Sequence, residues 1–389
     1  MNTGKTPKTT KSKKHEQTYK KHKEASKKVR EKTTENLNDS KVVVVSDEEA
    51  RSYDKPKKRI ALIVSGQSRS PEMCWASQCN TFGFQGYELD YFVHSWSTQD
   101  LCIAPSSERV SQVGGGKFSK RINHLQNNRK ELESKLIDIY NPVAIKVEDY
   151  NNENIVDICS RIYEASKHRS SNHPQLQVFN NIGYRFLNNH QKISELLRDT
   201  HFGQIYSIEQ ACKLKHDFEK KHNFKYDIVV KIRQDLFFPP SSWPRILKLQ
   251  KQMQKCLESD VVMFDWFIEH DIDTNTGGFI GDIIFASNSE TMDSLCLGIT
   301  EYLTNSYIGI AEGTLEARTF IHPHGAVCIE NSWPENILYN RVKKEKITCK
   351  KFHFPHLLYR HYMKKLPQKF DELRNNKEHF EKYGHLFTQ

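Results

Sequence analysis

Three stretches of this 389-residue chain place reactive side chains directly after apolar runs. In Lys231-Ile232-Arg233-Gln234-Asp235-Leu236-Phe237-Phe238 an apolar segment opens into Arg-x-Asp and closes at once into aromatic sequence. A carboxylate enclosed this closely needs a partner: either it pairs with Arg233 or it coordinates something else. In Ser65-Gly66-Gln67-Ser68-Arg69 one flexible glycine and one arginine follow Ile60 to Val64. Backbone amides at the start of a helix, with Arg69 adding charge, can hold an anion there. The other reading is an ordinary strand-to-helix turn with a surface arginine. His94-Ser95-Trp96 follows Leu89 to Val93 and suits either a pocket wall or a packed Trp beside a satisfied imidazole.

Such residues need elements to hold them. Ile60 to Val64 is apolar at every position, as expected of a strand covered on both faces. Ser70 as cap and Pro71 as first helical residue predict a helix start. Leu89 to Val93 and Val143 to Val147 read as further strands, and Leu132, Leu136 and Tyr140 recur on one helix face up to the stop at Asn141-Pro142. Residues 153–200 read as helical with a polar break. Ser207 and Gln210 form a capping box before a helix carrying Ile208, Ala211, Leu214 and Phe218. Tyr226 to Ile232 is the clearest strand, and Asp260 to Phe264 and Phe279 to Phe285 follow. Ser332 and Glu335 make another capping box, with Pro334 in its first turn. Alternating strands and helices predict an α/β fold with a mixed, mainly parallel sheet flanked by helices.

The charge belongs to one end. Lys and Arg total 58 against 48 Asp and Glu, a net charge of +10, yet residues 1–58 hold 17 basic and 9 acidic residues. The remainder is nearly neutral, which argues against a nucleic-acid-binding body. Residues 1–57, poor in large aliphatics, read as a disordered basic tail able to contact nucleic acid or anionic surfaces. Residues 58–345 read as the folded domain and 346–389 as a helical, basic extension. No apolar run approaches the ~20 residues a membrane span needs. Nine scattered cysteines without a Cys-x-x-Cys pair fit a reduced, cytoplasmic protein.

Several of these stretches, in this order, resemble GT-A-like glycosyltransferases of the type found in bacterial surface-polysaccharide clusters and giant DNA viruses. The string YDIVVKIRQDLFF (226–238) is similar to their Arg-x-Asp strand, IALIVSGQSR (60–69) to their opening, and YFVHSW (91–96) to their second strand end. SIEQACKLKHDFEKKHNFKYD (207–227), GDIIFASNSETMDSL (281–295) and SWPENILYNRV (332–342) resemble later segments. The resemblance implies a GT-A-like, Rossmann-like domain and transfer of a sugar from a nucleotide-sugar donor to a glycan or protein acceptor. It also implies a divalent cation, Mn²⁺ or Mg²⁺, whose charge offsets that on the leaving diphosphate.

By position the resemblance makes Asp235 the metal ligand, although Arg233 stands where the usual Asp-x-Asp has its first Asp. Arg233 could itself offset phosphate charge. Ser65, Gly66, Arg69, His94 and Arg233 become donor-binding candidates. Asp282 becomes the catalytic base or nucleophile, with Glu335, next to Asn336, as second choice. Asp265, Asp271 and Asp273 form an acidic loop that either touches an acceptor or is simply solvated, the latter being the default. The location implied is cytoplasmic: a host cytoplasm, or a virion, for a viral source. The alternative is a non-catalytic, nucleic-acid- or virion-associated protein with an α/β scaffold and a basic arm.

Overall fold

A computed structural model describes residues 58–68, 71–84, 86–99, 129–149, 153–167, 202–238, 243–256, 260–269, 277–315, 319–321, 327–329, 334–352 and 354, and two-residue strands at 43–44, 125–126 and 357–358. Its centre is an eight-stranded sheet: β1 (Val43–Val44), β2 (Lys58–Gln67), β3 (Tyr87–Trp96), β4 (Ala144–Glu148), β5 (Ile228–Arg233), β6 (Val261–Phe264), β7 (Phe285–Ser287) and β8 (Thr348–Lys351). The spatial order is β1-β4-β3-β2-β5-β7-β6-β8. Strands β4, β3, β2 and β5 run parallel, β7 is antiparallel to both its neighbours, and β8 pairs parallel with β6. This is a mixed, mainly parallel α/β sheet.

Helices cover both faces: α1 (Pro71–Phe82), α2 (Arg129–Tyr140), α3 (Glu153–Lys167), α4 (Phe202–His222), α5 (Trp243–Cys256), α6 (Ser289–Cys296), α7 (Ile299–Glu312) and α8 (Pro334–Lys344). The side chains of β2 explain its continuous apolar sequence. Ile60, Leu62 and Val64 enter one core with Leu132, Leu136 and Ile246, on the side of α1, α2 and α5. Ala61 and Ile63 enter the other core with Ile208, Leu295 and Leu303, on the side of α4, α6 and α7. Each large aliphatic buried this way contributes roughly 1.5–3 kcal/mol. Helix α2 stops where expected, because Asn141 adopts φ 43° and its amide donates to the Ile137 carbonyl at 2.9 Å.

Two local expectations are corrected. Helix α4 begins at Phe202, so Ser207 lies inside it rather than capping it. Phe202 and Ile205 are buried and extend its apolar face, which outweighs the capping signal. The expected strand Phe279 to Phe285 is two pieces, because Phe279–Ile280 pairs with Phe267–Ile268 while only the later piece joins the sheet. The break falls at Gly281 and Asp282, where a Cβ on Gly281 would sit 1.9 Å from Asp265 Oδ1. A side chain at 281 would have to displace the Asp265 carboxyl. The basic tail lies outside the described residues except for Val43 and Val44, which pair antiparallel with Ile145 and Ala144.

Candidate functional site

In open α/β sheets ligands bind beyond the carboxyl ends of the strands, where the strand order reverses. From β2 the chain builds outward through β3 and β4, then returns to place β5 on the other side of β2. The reversal therefore lies between β2 and β5, whose ladder ends at the pair Ser65 and Arg233. The sequence candidates Ser65, Gly66, His94 and Arg233 all sit on this edge, since Ser65 also pairs with His94 in β3. Arg69 lies outside the described residues.

Alternation puts His94, Lys146, Lys231 and Arg233 on the face that α4 covers. His94 is fully buried, and its Nδ1 lies 2.7 Å from Ser207 Oγ while Nε2 lies 2.9 Å from Glu148 Oε2. Lys146 Nζ is 3.0 Å from Glu148 Oε1, and the Tyr206 hydroxyl donates to Oε2 at 3.2 Å. Burial lowers the His94 pKa and keeps the ring neutral. Burial alone would raise Glu148, but the hydrogen bond from His94 and the Lys146 ammonium hold it down at about 2. The order Ser-His-Glu matches a nucleophilic triad in composition only. Ser207 is fully buried, so no substrate reaches its hydroxyl. His94 is likewise corrected from a ligand contact to an internal one, because both ring nitrogens are engaged. The Gly66 amide donates to Ser207 Oγ at 2.7 Å, so that amide is also spoken for.

Across the reversal the charges are less balanced. Arg233 donates from Nε and Nη2 to the two oxygens of Asp235 at 2.9 and 2.8 Å. Gln78 of α1 holds this turn, its Nε2 donating to the Leu236 carbonyl at 2.8 Å. The Arg233 side chain keeps 17% of its surface exposed, whereas Asp235 keeps 2%. The fully buried Lys231 donates to the Asp282 carbonyl and lies 5.6 Å from the Phe285 ring centre. Burial lowers its pKa to about 8, against the opposing pull of Asp282. Burial and the charge of Asp282 push Asp265 up to about 7 and Glu335 up to about 8. Asp282 itself is 6% exposed. The structure thus brings Asp282 and Glu335 into one electrostatic cluster with Arg233 and Lys231. Asn336 turns away, its Nδ2 donating to the Gly278 carbonyl at 2.9 Å.

Sequence reasoning found no role for Lys231, and it offered Asp265 only as part of an acidic loop, not as a buried member of this cluster. A lysine inside Ile-Val-Val-Lys-Ile was the available signal for the first. Asp265 read as loop because Asp271 and Asp273 follow it, and those two lie outside the described residues. Ser332, the expected capping partner of Glu335, is also outside them.

The residues at Asp235 do not fit a divalent cation, because Arg233 takes both carboxylate oxygens. Elsewhere His216, Glu219 and Asp293 bring ligand atoms within 4.8 Å of one another. There Lys215 Nζ already lies 2.9 Å from Glu219 Oε2 and 2.7 Å from Asp293 Oδ1, so an ammonium group fills the role of cation. That cluster, like a cavity of about 320 Å³ lined by Lys58, Tyr87, Lys225 and Asn288, lies at the amino ends of the strands. Strand polarity favours the opposite edge.

No family profile matches the chain, and no curated protein matches it. Among solved structures, the apo form of mouse xyloside xylosyltransferase 1 aligns over 76% of this chain and 84% of its own, with 10% identity and a TM-score of 0.29. Similarity at that level carries no argument about activity. No described helix is long and apolar enough to cross a membrane.

Proposed function

We propose that the protein is a nucleotide-sugar-dependent glycosyltransferase of GT-A-like type, acting on a glycan or protein acceptor. The observation that carries this reading is the division of charge at the sheet reversal: a partly exposed guanidinium beside Ser65, next to a cluster of carboxyl groups around Lys231. The ordered sequence resemblances support the same reading.

In this proposal the donor diphosphate lies against Arg233 and Arg69, and Asp235 fixes the Arg233 guanidinium in its plane. Asp282 accepts the proton of the acceptor hydroxyl, whose oxygen attacks the anomeric carbon. The bond from that carbon to the diphosphate breaks, and its electron pair leaves on the phosphate oxygen, where arginine charge stabilises it. Glu335, protonated at neutral pH, and Asp265 border the acceptor side. Arg233, rather than a metal at Asp235, offsets the charge on the leaving diphosphate, since both Asp235 oxygens are held by that guanidinium.

The test is release of free nucleotide from a panel of UDP-, GDP- and CMP-sugars, with and without Mn²⁺. Asp282→Asn should keep donor affinity within about twofold while lowering turnover by ~10²-fold or more. Equal loss of both would mark Asp282 as a donor contact or structural residue. A protein that neither binds nor cleaves any donor would remove the proposal.

A further inference from the structure

Gly66 is the first residue of β2 past its ladder with β5, and it adopts φ +116°. L side chains rarely occupy that region, so this end of the strand needs glycine for its backbone. A Cβ added there would meet nothing within 4 Å, so crowding is not the reason. The strand end stays in register with β3, Gly66 opposite Ser95 and Gln67 opposite Trp96, and α4 ties it down through the Gly66 amide, which donates to Ser207 Oγ at 2.7 Å.

A serine within a helix ordinarily bonds back to its own preceding turn. Ser207 instead joins two other elements, His94 of β3 and Gly66 of β2. Glu148, ionised, only accepts, so His94 Nε2–H donates to it across 2.9 Å. The ring is neutral, so Nδ1 accepts, and the Ser207 hydroxyl donates to it across 2.7 Å. That leaves the Ser207 oxygen to accept from Gly66. Lys146 anchors the far end, bonding Glu148 Oε1 at 3.0 Å and Gln210 Oε1 at 3.0 Å. The donors run one way from Gly66 through Ser207 and His94 to Glu148, where Lys146 donates from the other side, and the chain starts on the backbone that leads from β2 toward Arg69.

We propose that Ser207, oriented by His94 and Glu148, is a positioning residue that sets the carboxyl end of β2 beside Arg233 for an anionic ligand. Only the ligand half of this inference rests on the functional reading above; the geometry of the strand end does not.

Two measurements separate the halves. Amide hydrogen exchange at Gly66 should speed up about tenfold in Ser207→Ala and return toward the parent rate in Ser207→Thr, which keeps the hydroxyl. UDP affinity, by calorimetry, should fall by roughly the same factor in Ser207→Ala and recover in Ser207→Thr, with the melting temperature nearly unchanged. Unchanged Gly66 exchange in Ser207→Ala overturns the proposal, as does faster exchange with full UDP affinity. If the parent protein binds none of UDP, GDP or CDP, the functional reading and the ligand half fall together, while the exchange comparison still decides the strand end. If neither variant folds, long-range ¹H–¹⁵N spectra of the unaltered protein decide: a proton on His94 Nδ1 instead of Nε2 overturns the chain.

Discussion

Two charged regions share one face of the same sheet and behave in opposite ways. Around His94 every carboxylate oxygen has a donor, and Lys146 lies 3.0 Å from Glu148, whose pKa falls to about 2. Around Lys231 the carboxyl groups outnumber the nearby cation, since Asp235 already takes the Arg233 fork, and two of them rise to about 7 and 8. Glu335 Oε2, buried, makes no hydrogen bond among the described residues. Burial is common to both regions, so burial does not explain the difference. The ratio of carboxylates to cations does. A balanced network costs little to keep and holds elements in place, whereas an unbalanced one holds protons that a bound ligand can displace.

Breaking the balanced side should have the largest effect. Glu148→Leu leaves Lys146, His94 and Tyr206 without their common acceptor in buried surroundings, and should cost about 3–5 kcal/mol by urea unfolding. The same carboxylate gives a pH signature. Its folded pKa is depressed, so its contribution is present above about pH 4.5 and is lost as pH falls toward 2. The Glu148→Leu variant should show a shallower acid limb than the parent protein.

Asp235→Asn should come next, at roughly 2–3 kcal/mol, because it removes the charge that the Arg233 guanidinium faces while leaving part of that group hydrated. A metal-ligand role predicts otherwise: little change in the melt, and loss of any Mn²⁺-dependent UDP binding. Calorimetry with and without Mn²⁺ beside a melt separates the two.

Glu335 tests the unbalanced side through the opposite sign. Its folded pKa of about 8 exceeds its ordinary value of 4.5, so the folded state binds more protons between those limits. Stability from this group is therefore full below about pH 4.5 and declines as pH rises toward 8. Glu335→Gln should flatten that decline and exceed the parent protein by on the order of 1–3 kcal/mol near pH 9. Equal slopes in the two proteins would show that the carboxyl is ionised at neutral pH and not part of the cluster.

How much of this could be read in advance follows from which forces act locally. The apolar run at Ile60 to Val64, the stop at Asn141 and the Arg-x-Asp turn were legible because their causes lie within a few residues. The partner of Ser207 was not, because it stands 141 positions away at Gly66, and a serine three residues before a glutamine looks like a cap in isolation. The break at Gly281 was hidden for the same reason, since the atom that a side chain at 281 would strike belongs to Asp265. The sum of charge around Lys231 needed the folded sheet, which brings β5, the Asp282 turn and the start of α8 together.

The smallest expected effect concerns the outer wall of the balanced region. Glu148 ends β4, and β4 has β3 on one side and, among the described residues, only Val43–Val44 on the other. A two-residue strand adds few ladder hydrogen bonds, each worth net about 0.5–1.5 kcal/mol. Removing residues 1–57 should therefore cost about 1 kcal/mol, with faster amide exchange confined to residues 144–148, while removing residues 1–40 should cost nothing measurable. The exposed β4 edge would also offer unpaired backbone groups to another molecule, so the longer deletion should self-associate more readily in light scattering. Equal stability and equal exchange in both truncations would show that the Val43–Val44 pairing contributes nothing in solution. A large loss on removing 1–57 would instead make the tail part of the domain and move its boundary well before Lys58.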